Sequence, residues 1–115
     1  MDFQLDAAEV RVLGSLIEKE IATPEYYPLT LNALVNACNQ KSSRNPVVDY
    51  DERTVEEALE QLRQKRLVAT VSGAGMRVPK HRQLLSEALN LGRRELALLC
   101  VLMLRGPQTA GELHA

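Results

Sequence analysis

Residues 67–79, LVATVSGAGMRVP, decide the fold of this chain. The stretch begins at 67–71 with β-branched and apolar residues, a composition typical of a strand. A turn with two glycines follows at 72–75, and residues 76–79 can return antiparallel to the first strand. Pro79 has no amide hydrogen for a ladder, so it marks the end or the edge of the hairpin. The stretch therefore predicts a β-hairpin; an irregular loop at 67–80 in a plain helical bundle is the competing interpretation.

Three amphipathic helices are predicted before the hairpin, at about 6–22, 30–39 and 51–66, because apolar residues recur there at helical spacing. The first has Asp6 followed three residues later by Glu9, which is the spacing of a capping box. The third carries its acidic residues early and its basic residues late, as the helix dipole favours. The predicted N-caps of the first two helices are Asp6 and Thr30, and the third helix is expected to start around Asp51 or Glu52.

Two further helices are predicted after the hairpin. A linking helix is expected at about 83–90, and a strongly apolar one runs from about 93 to 104. Residues 96–104 are apolar on all sides, so this last helix needs cover nearly all round, and the few residues after it are not expected to supply that cover.

The last helix also begins a weak internal repeat. Aligning Glu9 with Glu95 superposes the apolar positions of the two helices, and Pro28 to Thr30 then match Pro107 to Thr109. Thr109 starts a second capping box that ends at Glu112. We therefore expect a piece of a longer, two-domain protein: a first domain at 1–82, a linking helix at 83–92, and the N-terminal part of a truncated second domain at 93–115.

Three helices followed by a two-stranded hairpin is the element order of a winged helix. The predicted fold class is thus mainly α with a small β-hairpin (α+β): a winged helix-turn-helix followed by the start of a second winged-helix domain.

Composition excludes several classes of protein. The chain has 115 residues, 45% hydrophobic and 25% charged, with a formal net charge of −1, which is typical of a globular domain and excludes nucleic-acid binding through bulk positive charge. Its longest apolar run, 96–104, is about half of a membrane span, and the start at residues 1–4 lacks the basic and apolar regions of a secretory signal. Cys38 and Cys100 lie far apart in apolar helices, so we interpret them as reduced core thiols of a cytoplasmic protein rather than as a disulfide or a metal site.

Four long strings carry a resemblance to a known family. They are LDAAEVRVLGSLIEKE at 5–20, TPEYYPLTLN at 23–32, CNQKSSRNPV at 38–47 and RELALLCVLMLRGPQT at 94–109. Together they resemble the YceH-like family of bacterial proteins over essentially the whole chain. The resemblance implies tandem winged-helix domains in a chain of roughly twice this length, in agreement with the repeat. It implies no activity, since the family is one of uncharacterised proteins.

Two groups of polar residues are candidates for phosphate contacts. One is the turn before the third helix; the other lies on or after the wing, where residues 76–94 hold five Lys or Arg against one Glu. The candidate nucleic-acid-binding residues are Lys41, Ser42, Ser43, Arg44, Asn45, Arg53, Arg77, Lys80 and Arg82.

Each candidate has a structural alternative. The turn at 41–45 can be a network of caps and backbone hydrogen bonds, and the basic region can be a solvated rim or a surface for an acidic partner. Tyr26 and Tyr27 are better explained as packing residues than as a platform for stacked bases. The third helix, 51–66, carries five acidic and four basic residues, and the acids in its N-terminal half disfavour contacts with phosphates.

Two function hypotheses follow. The leading one is a regulatory protein that binds DNA through the turn at 41–45 and the wing. The alternative is a protein-interaction module without direct nucleic-acid binding, in which the acidic third helix and the apolar helix at 93–105 dock protein, including a second copy in a homodimer. No enzyme motif, cofactor motif or metal-ligand spacing is present in the sequence, so no catalytic residue and no cofactor is predicted.

Overall fold

A computed structural model describes residues 4–106. The elements are helix α1 (Ala7–Ala22), a 3₁₀ turn (Pro24–Tyr26), strand β1 (Leu29–Thr30), helices α2 (Leu31–Cys38) and α3 (Glu52–Gln64), strands β2 (Val68–Val71) and β3 (Lys80–Gln83), and helices α4 (Leu85–Leu89) and α5 (Arg93–Arg105). The predicted class, mainly helical with a small antiparallel sheet, is confirmed. The second half of the internal repeat, from Pro107 onward, lies outside the described residues.

The first three helices begin where local sequence chemistry places them. Asp6 accepts a hydrogen bond from the Glu9 amide at 2.8 Å, and the Glu9 side chain accepts one from the Asp6 amide at 3.0 Å, so the predicted capping box is present. Thr30 caps α2 and Asp51 caps α3, each through a hydrogen bond from an amide three residues later. These caps satisfy amides that would otherwise lack a partner in the first turn.

The sheet has three strands rather than the predicted two, in the order β1-β3-β2, and both pairings are antiparallel. The short strand β1 pairs Thr30 with Lys80, so the start of α2 is fixed to the sheet. This strand was not predicted, because it has only two residues and merges with the cap of a helix.

The returning strand was predicted at 76–79, and this was wrong: β3 begins at Lys80, immediately after Pro79. The connecting loop is therefore 72–79, in which Gly73 and Gly75 adopt positive φ angles of 153° and 86°. β3 also ends at Gln83, so the linking helix predicted from residue 83 is the shorter α4.

One core joins the elements around α1. Leu13, Leu16 and Ile17 of α1 are fully buried, together with Leu34 of α2 and Leu62 of α3. Helix α1 also packs against α5 at Gly14, where an added Cβ would lie 2.9 Å from Leu104 Cδ2. A glycine at this position allows the close approach of the two helices.

Among the described residues, helix α5 is covered on one face only. Leu96, Cys100 and Leu104 are buried, whereas Leu98 and Leu102 on the other face remain 55% and 36% exposed. The division into a first domain, a linking helix and a truncated second domain stays a prediction, as does the winged-helix assignment; the order of helices and strands agrees with that assignment.

Candidate interaction surfaces

The turn at 41–45 does not present its arginine to solvent. The Arg44 side chain is fully buried, donates to both carboxylate oxygens of Glu18 at 2.7 and 3.0 Å, and donates to the carbonyl oxygen of Ala37 at 2.8 and 3.1 Å. Because its donors are taken up inside the protein, Arg44 is not available to a phosphate. Its place among the candidate contacts is therefore corrected to that of an internal anchor.

The rest of this turn is exposed but locally bonded. Lys41, Ser42, Ser43 and Asn45 are on the surface. Gln40 donates to the Ser42 carbonyl at 2.9 Å, and the Asn45 amide donates to the Leu104 carbonyl of α5 at 2.9 Å. These contacts are those of the turn network that was the alternative to phosphate recognition.

The wing residues lie elsewhere. Arg77 is exposed in the loop between β2 and β3, and Lys80 and Arg82 are half-buried on one face of β3, two residues apart. Arg82 pairs with Glu87 at 3.3 Å. His81 and Gln83 point to the other face and are buried.

The two predicted groups of phosphate-binding residues are not brought together. Lys80 pairs with Thr30 at the start of α2, whereas the turn at 41–45 follows the end of α2. An eight-residue helix, about 12 Å long at 1.5 Å per residue, separates them. Arg53 lies on the exposed side of α3, with its side chain 87% exposed, and pairs with Glu57 at 3.3 Å.

A groove of about 910 Å³ opens between the start of α2, the exposed side of α3 and the sheet with its wing. We call it the α3 groove. Apolar side chains from all three elements contribute to its lining, among them Leu31, Leu59, Val78 and Pro79. The sequence predicted the acidic third helix as a solvated face or, alternatively, as a docking surface for protein, but no pattern in it indicated a groove.

The charge of the α3 groove is strongly negative. Four glutamates of α3 line it: Glu52, Glu56, Glu57 and Glu60. Arg63 is the only Lys or Arg among the lining residues. Arg63 is itself paired with Glu60 at 2.7 Å and donates to Thr70 Oγ1 at 2.8 Å. The hydrogen bond and the charge of Arg63 lower the pKa of Glu60 below its ordinary value, so this carboxylate is ionised at neutral pH.

His81 forms part of the groove wall on β3. Its residue surface is 7% exposed, and Nδ1 lies 2.9 Å from Thr70 Oγ1. Burial, followed by the nearby charge of Arg63, lowers the pKa of His81, so the imidazole is neutral at neutral pH.

The two cysteines belong to the core, as predicted. Cys38 and Cys100 are free and buried, and burial raises the pKa of each thiol to about 11. Within residues 4–106, no group of three or more His, Cys, Asp or Glu side chains is arranged to hold a metal ion. His114 lies outside this range.

Tyr26 and Tyr27 have different roles. Tyr27 is half-buried, and its hydroxyl oxygen accepts a hydrogen bond from the Gln83 amide of β3 at 2.6 Å. Tyr26, its neighbour, is 74% exposed. Tyr27 thus agrees with the predicted packing role.

None of the helices in the described part of the chain has the length and apolar character required to cross a bilayer.

These elements define a small α+β protein with an acidic groove beside its third helix. Its family is clear from comparison with known sequences: residues 5–115 match the family model described as "Protein of unknown function, DUF480", and the chain belongs to this family. The resemblance to the YceH-like family of uncharacterised bacterial proteins is thereby confirmed.

The chain is similar to several bacterial proteins that carry the name UPF0502 protein. It is 68% identical over 114 residues to the one from Solibacter usitatus, covering 99% of this chain and 55% of that protein. It is 63% identical over 114 residues to the one from Geotalea daltonii, covering 99% and 52%. For Opitutus terrae the identity is 60% over 111 residues, covering 96% and 48%. The chain thus spans about half the length of the curated relatives it matches.

Proposed function

We propose that this chain is a non-catalytic winged-helix module that binds protein, and that the α3 groove receives a partner segment carrying both basic and apolar side chains. The observation that carries the proposal is the groove itself: four glutamates of α3 border an apolar floor to which α2 and the loop before β3 contribute. A cytoplasmic location, expected from the reduced thiols, belongs to the same proposal.

Charge argues against a phosphate ligand in this groove. A nucleic-acid site gains its affinity by replacing the counterions of phosphates with Lys and Arg side chains. Here Arg63 is already paired with Glu60, while Glu52 and Glu56, which have no ion-pair partner within residues 4–106, would repel a phosphate backbone. A basic ligand would be attracted by the same charges.

The apolar floor favours a peptide over a simple cation. Leu31, Val78 and Pro79 offer contacts that only apolar groups would use, and glutamates border them on the α3 side. Recognition of peptides commonly combines such apolar pockets with a charged border. A segment that alternates basic and apolar residues has this chemistry.

DNA binding stays the second candidate, and a separate observation favours it. Lys80 and Arg82 share the face of β3 opposite His81, and Arg77 is exposed in the adjacent loop. These three side chains could contact a phosphate backbone without using the α3 groove. Self-association through α5, whose Leu98 and Leu102 are exposed, likewise remains a prediction.

The two candidates are separated by titrating ¹⁵N-labelled protein with two probes at low salt. One probe is an acetylated peptide that alternates arginine with leucine, and the other is a 20-base-pair duplex of random sequence. We expect the peptide to shift amide resonances along α3 and 78–81, and the duplex to leave them unchanged. Duplex binding that falls steeply with salt and is weakened by Arg77→Ala, without peptide binding, would overturn the proposal.

Matched variants test whether peptide binding depends on the glutamates of the α3 groove. Glu52 and Glu56 line the groove and take part in none of the ion pairs of residues 4–106, so Glu52→Gln with Glu56→Gln should weaken peptide binding about tenfold and leave the fold intact. Glu25→Gln with Asp49→Asn is the control, because it also removes two negative charges and both residues are exposed and do not line the groove. Equal losses in both proteins would show that the peptide responds only to net charge.

A further inference from the structure

The loop between β2 and β3, residues 72–79, projects from the sheet; we call it the wing loop. Nothing lies within 4 Å of where a Cβ would stand at Gly73 or Gly75, and seven of the eight residues of the loop are exposed. Arg77 and Val78 follow one another near its end, and Val78 is 50% exposed. The wing loop therefore presents a cation beside an apolar side chain to its surroundings.

This is the chemistry that the α3 groove is proposed to receive, and neither side of the match is satisfied within the described part of the molecule. Glu52 and Glu56 line the groove and have no ion-pair partner within residues 4–106, and the same is true of Arg77 in the wing loop. The groove also offers apolar contacts, among them Leu31. Because unneutralised opposite charges attract, the two regions have the charges required to bind each other.

The groove and the wing loop are neighbours on one face of the protein. Val78 and Pro79 belong to the wing loop and also line the groove, so Arg77 directly adjoins the groove wall along the chain. A face with opposite charges side by side is complementary to itself, because a two-fold rotation sets the basic region of each copy against the acidic region of the other. Every contact of such a pair is made twice.

We propose that the segment received by the α3 groove is the wing loop of a second copy of this chain. In each half of the pair, Arg77 of one copy meets Glu52 and Glu56 of the other, while Val78 packs against the apolar lining of the groove. This inference rests on the proposed function and adds to it the identity of the partner. The surface differs from the exposed side of α5, which the sequence suggested for a homodimer.

The proposed interface is small, since each copy contributes one groove of about 910 Å³ and one loop. Interfaces that bury less than about 1,200 Å² in total are characteristic of weak encounters. The pair should therefore form and dissociate with concentration rather than persist as a permanent dimer. Salt should weaken it, because its charged contacts lie at the surface.

Sedimentation of the unmodified protein at low salt, from about 10 μM to about 1 mM, measures this equilibrium. We expect the average mass to rise from that of one chain, 12.8 kDa, toward twice that value as the concentration increases. Added salt should shift the transition to higher protein concentration. A protein that stays monomeric over the whole range at low salt would overturn the inference.

Exchanging the charges tests the contacts themselves. Arg77→Glu places like charges against each other in both halves of the pair, and so does Glu52→Lys with Glu56→Lys, so each variant alone should associate at least about tenfold more weakly. In an equimolar mixture of the two variants, one contact of the mixed pair is unmodified and the other has its charges exchanged. The mixture should regain association to within about threefold of the unmodified protein. Failure of the mixture to associate would contradict the proposed pairing.

Control variants carry the same charge changes elsewhere. Lys41→Glu matches Arg77→Glu, and Glu25→Lys with Asp49→Lys matches the glutamate variant. All three control residues are exposed, lie outside the wing loop and do not line the groove. Each control should associate within about twofold of the unmodified protein. Equal losses in the controls and in the groove variants would show that association responds only to net charge, and would overturn the inference.

A mixed control separates the specific contact from attraction between oppositely charged proteins. Glu25→Lys with Asp49→Lys has the same net charge as the glutamate variant, so mixing it with Arg77→Glu reproduces the overall attraction. One of the two contacts in that pair still sets like charges against each other. It should therefore associate more weakly than the mixture of groove variants, and equal association of the two mixtures would count against the inference.

The outcomes separate this inference from the proposed function. The arginine–leucine peptide should dissociate the pair because it occupies the same groove, and a pair that persists at saturating peptide would overturn the inference. If the protein binds the peptide along α3 but stays monomeric, the proposed function holds and the inference fails. If neither the peptide nor a second copy shifts the amide resonances of α3, both fail. Association that ignores the charge variants but is abolished by Leu98→Ser with Leu102→Ser would place the contact on α5 and overturn the inference.

Discussion

An ion pair between Arg44 and Glu18 joins the loop after α2 to helix α1: the two guanidinium Nη atoms of Arg44 donate to the two carboxylate oxygens of Glu18, at 2.7 and 3.0 Å. Two-point contact of this kind is the strongest geometry available to an arginine and a carboxylate. Although burial alone would raise the pKa of Glu18, its hydrogen bonds and attraction to Arg44 hold that pKa below the ordinary value. Arg44, which its place in the polar turn before the third helix suggested for phosphate binding, instead stabilises the interior of the protein.

Arg44→Ala should lower the free energy of unfolding by about 3 kcal/mol, because it leaves the Ala37 carbonyl and the Glu18 carboxylate without their main partner. Urea unfolding followed by circular dichroism measures the change. Arg53→Ala is the control: its ion pair with Glu57 is exposed, and we expect a loss below about 0.5 kcal/mol. Equal losses for the two variants would contradict the assigned role of Arg44.

Tyr27→Phe should cost about 1.5 kcal/mol, since it removes the oxygen that accepts the Gln83 amide of β3. Tyr26→Phe, one residue earlier, should change stability by only a few tenths of a kcal/mol because Tyr26 is 74% exposed. Thermal unfolding of the two variants under identical conditions tests the difference. A Tyr27→Phe protein as stable as Tyr26→Phe would show that the hydroxyl contact adds nothing.

The stability of the protein should fall as the pH is lowered from 7.5 to 5.5. The pKa of His81 is lower in the folded state than its ordinary value of 6.5, so the unfolded chain binds the proton first as the solution becomes acidic. The stability that the neutral His81 contributes is complete above pH 6.5, and it is lost as the pH falls through the pKa of His81 in the folded state. Urea unfolding at several pH values should show a smaller fall for His81→Asn; an unchanged fall would assign it to other groups.

Both cysteines should react slowly with a disulfide reagent at pH 8 in the folded protein. Burial raises the pKa of Cys38 and of Cys100 to about 11, so almost none of either thiol is ionised. In urea, both should react rapidly and give two thiols per chain. A fast-reacting thiol in the native protein would mean that one of these residues is more accessible than its core position indicates.

Structural features that depend only on residues close together in the chain were predicted correctly. Asp6 and Thr30 were identified as caps because the residue types and spacings that make a cap lie within one helical turn. The third helix was expected to start around Asp51 or Glu52, and Asp51 is its N-cap. The hairpin was found, but its second strand was misplaced. The residues of β3 that face inward are His81 and Gln83, so the strand lacks the apolar alternation that would have revealed it.

The surfaces could not be predicted in the same way. The contact between Arg44 and Glu18 joins residues 26 positions apart, and no local pattern encodes it. The glutamates of α3 were correctly assigned to the outside of the helix. That they line a groove depends on how α2 and the sheet dock beside them, which is a property of the tertiary structure.

The two long loops differ in how they are held, and this has a practical consequence for labelling. The loop after α2 is fastened by Arg44 and by Arg11, which donates to the carbonyls of Cys38 and Pro46. By contrast, nothing lies within 4 Å of where a Cβ would stand at Gly73 or Gly75. A fluorophore or an epitope tag therefore belongs at 73–75, where the backbone can accommodate an insertion, and not at 40–46, where it would displace a buried guanidinium.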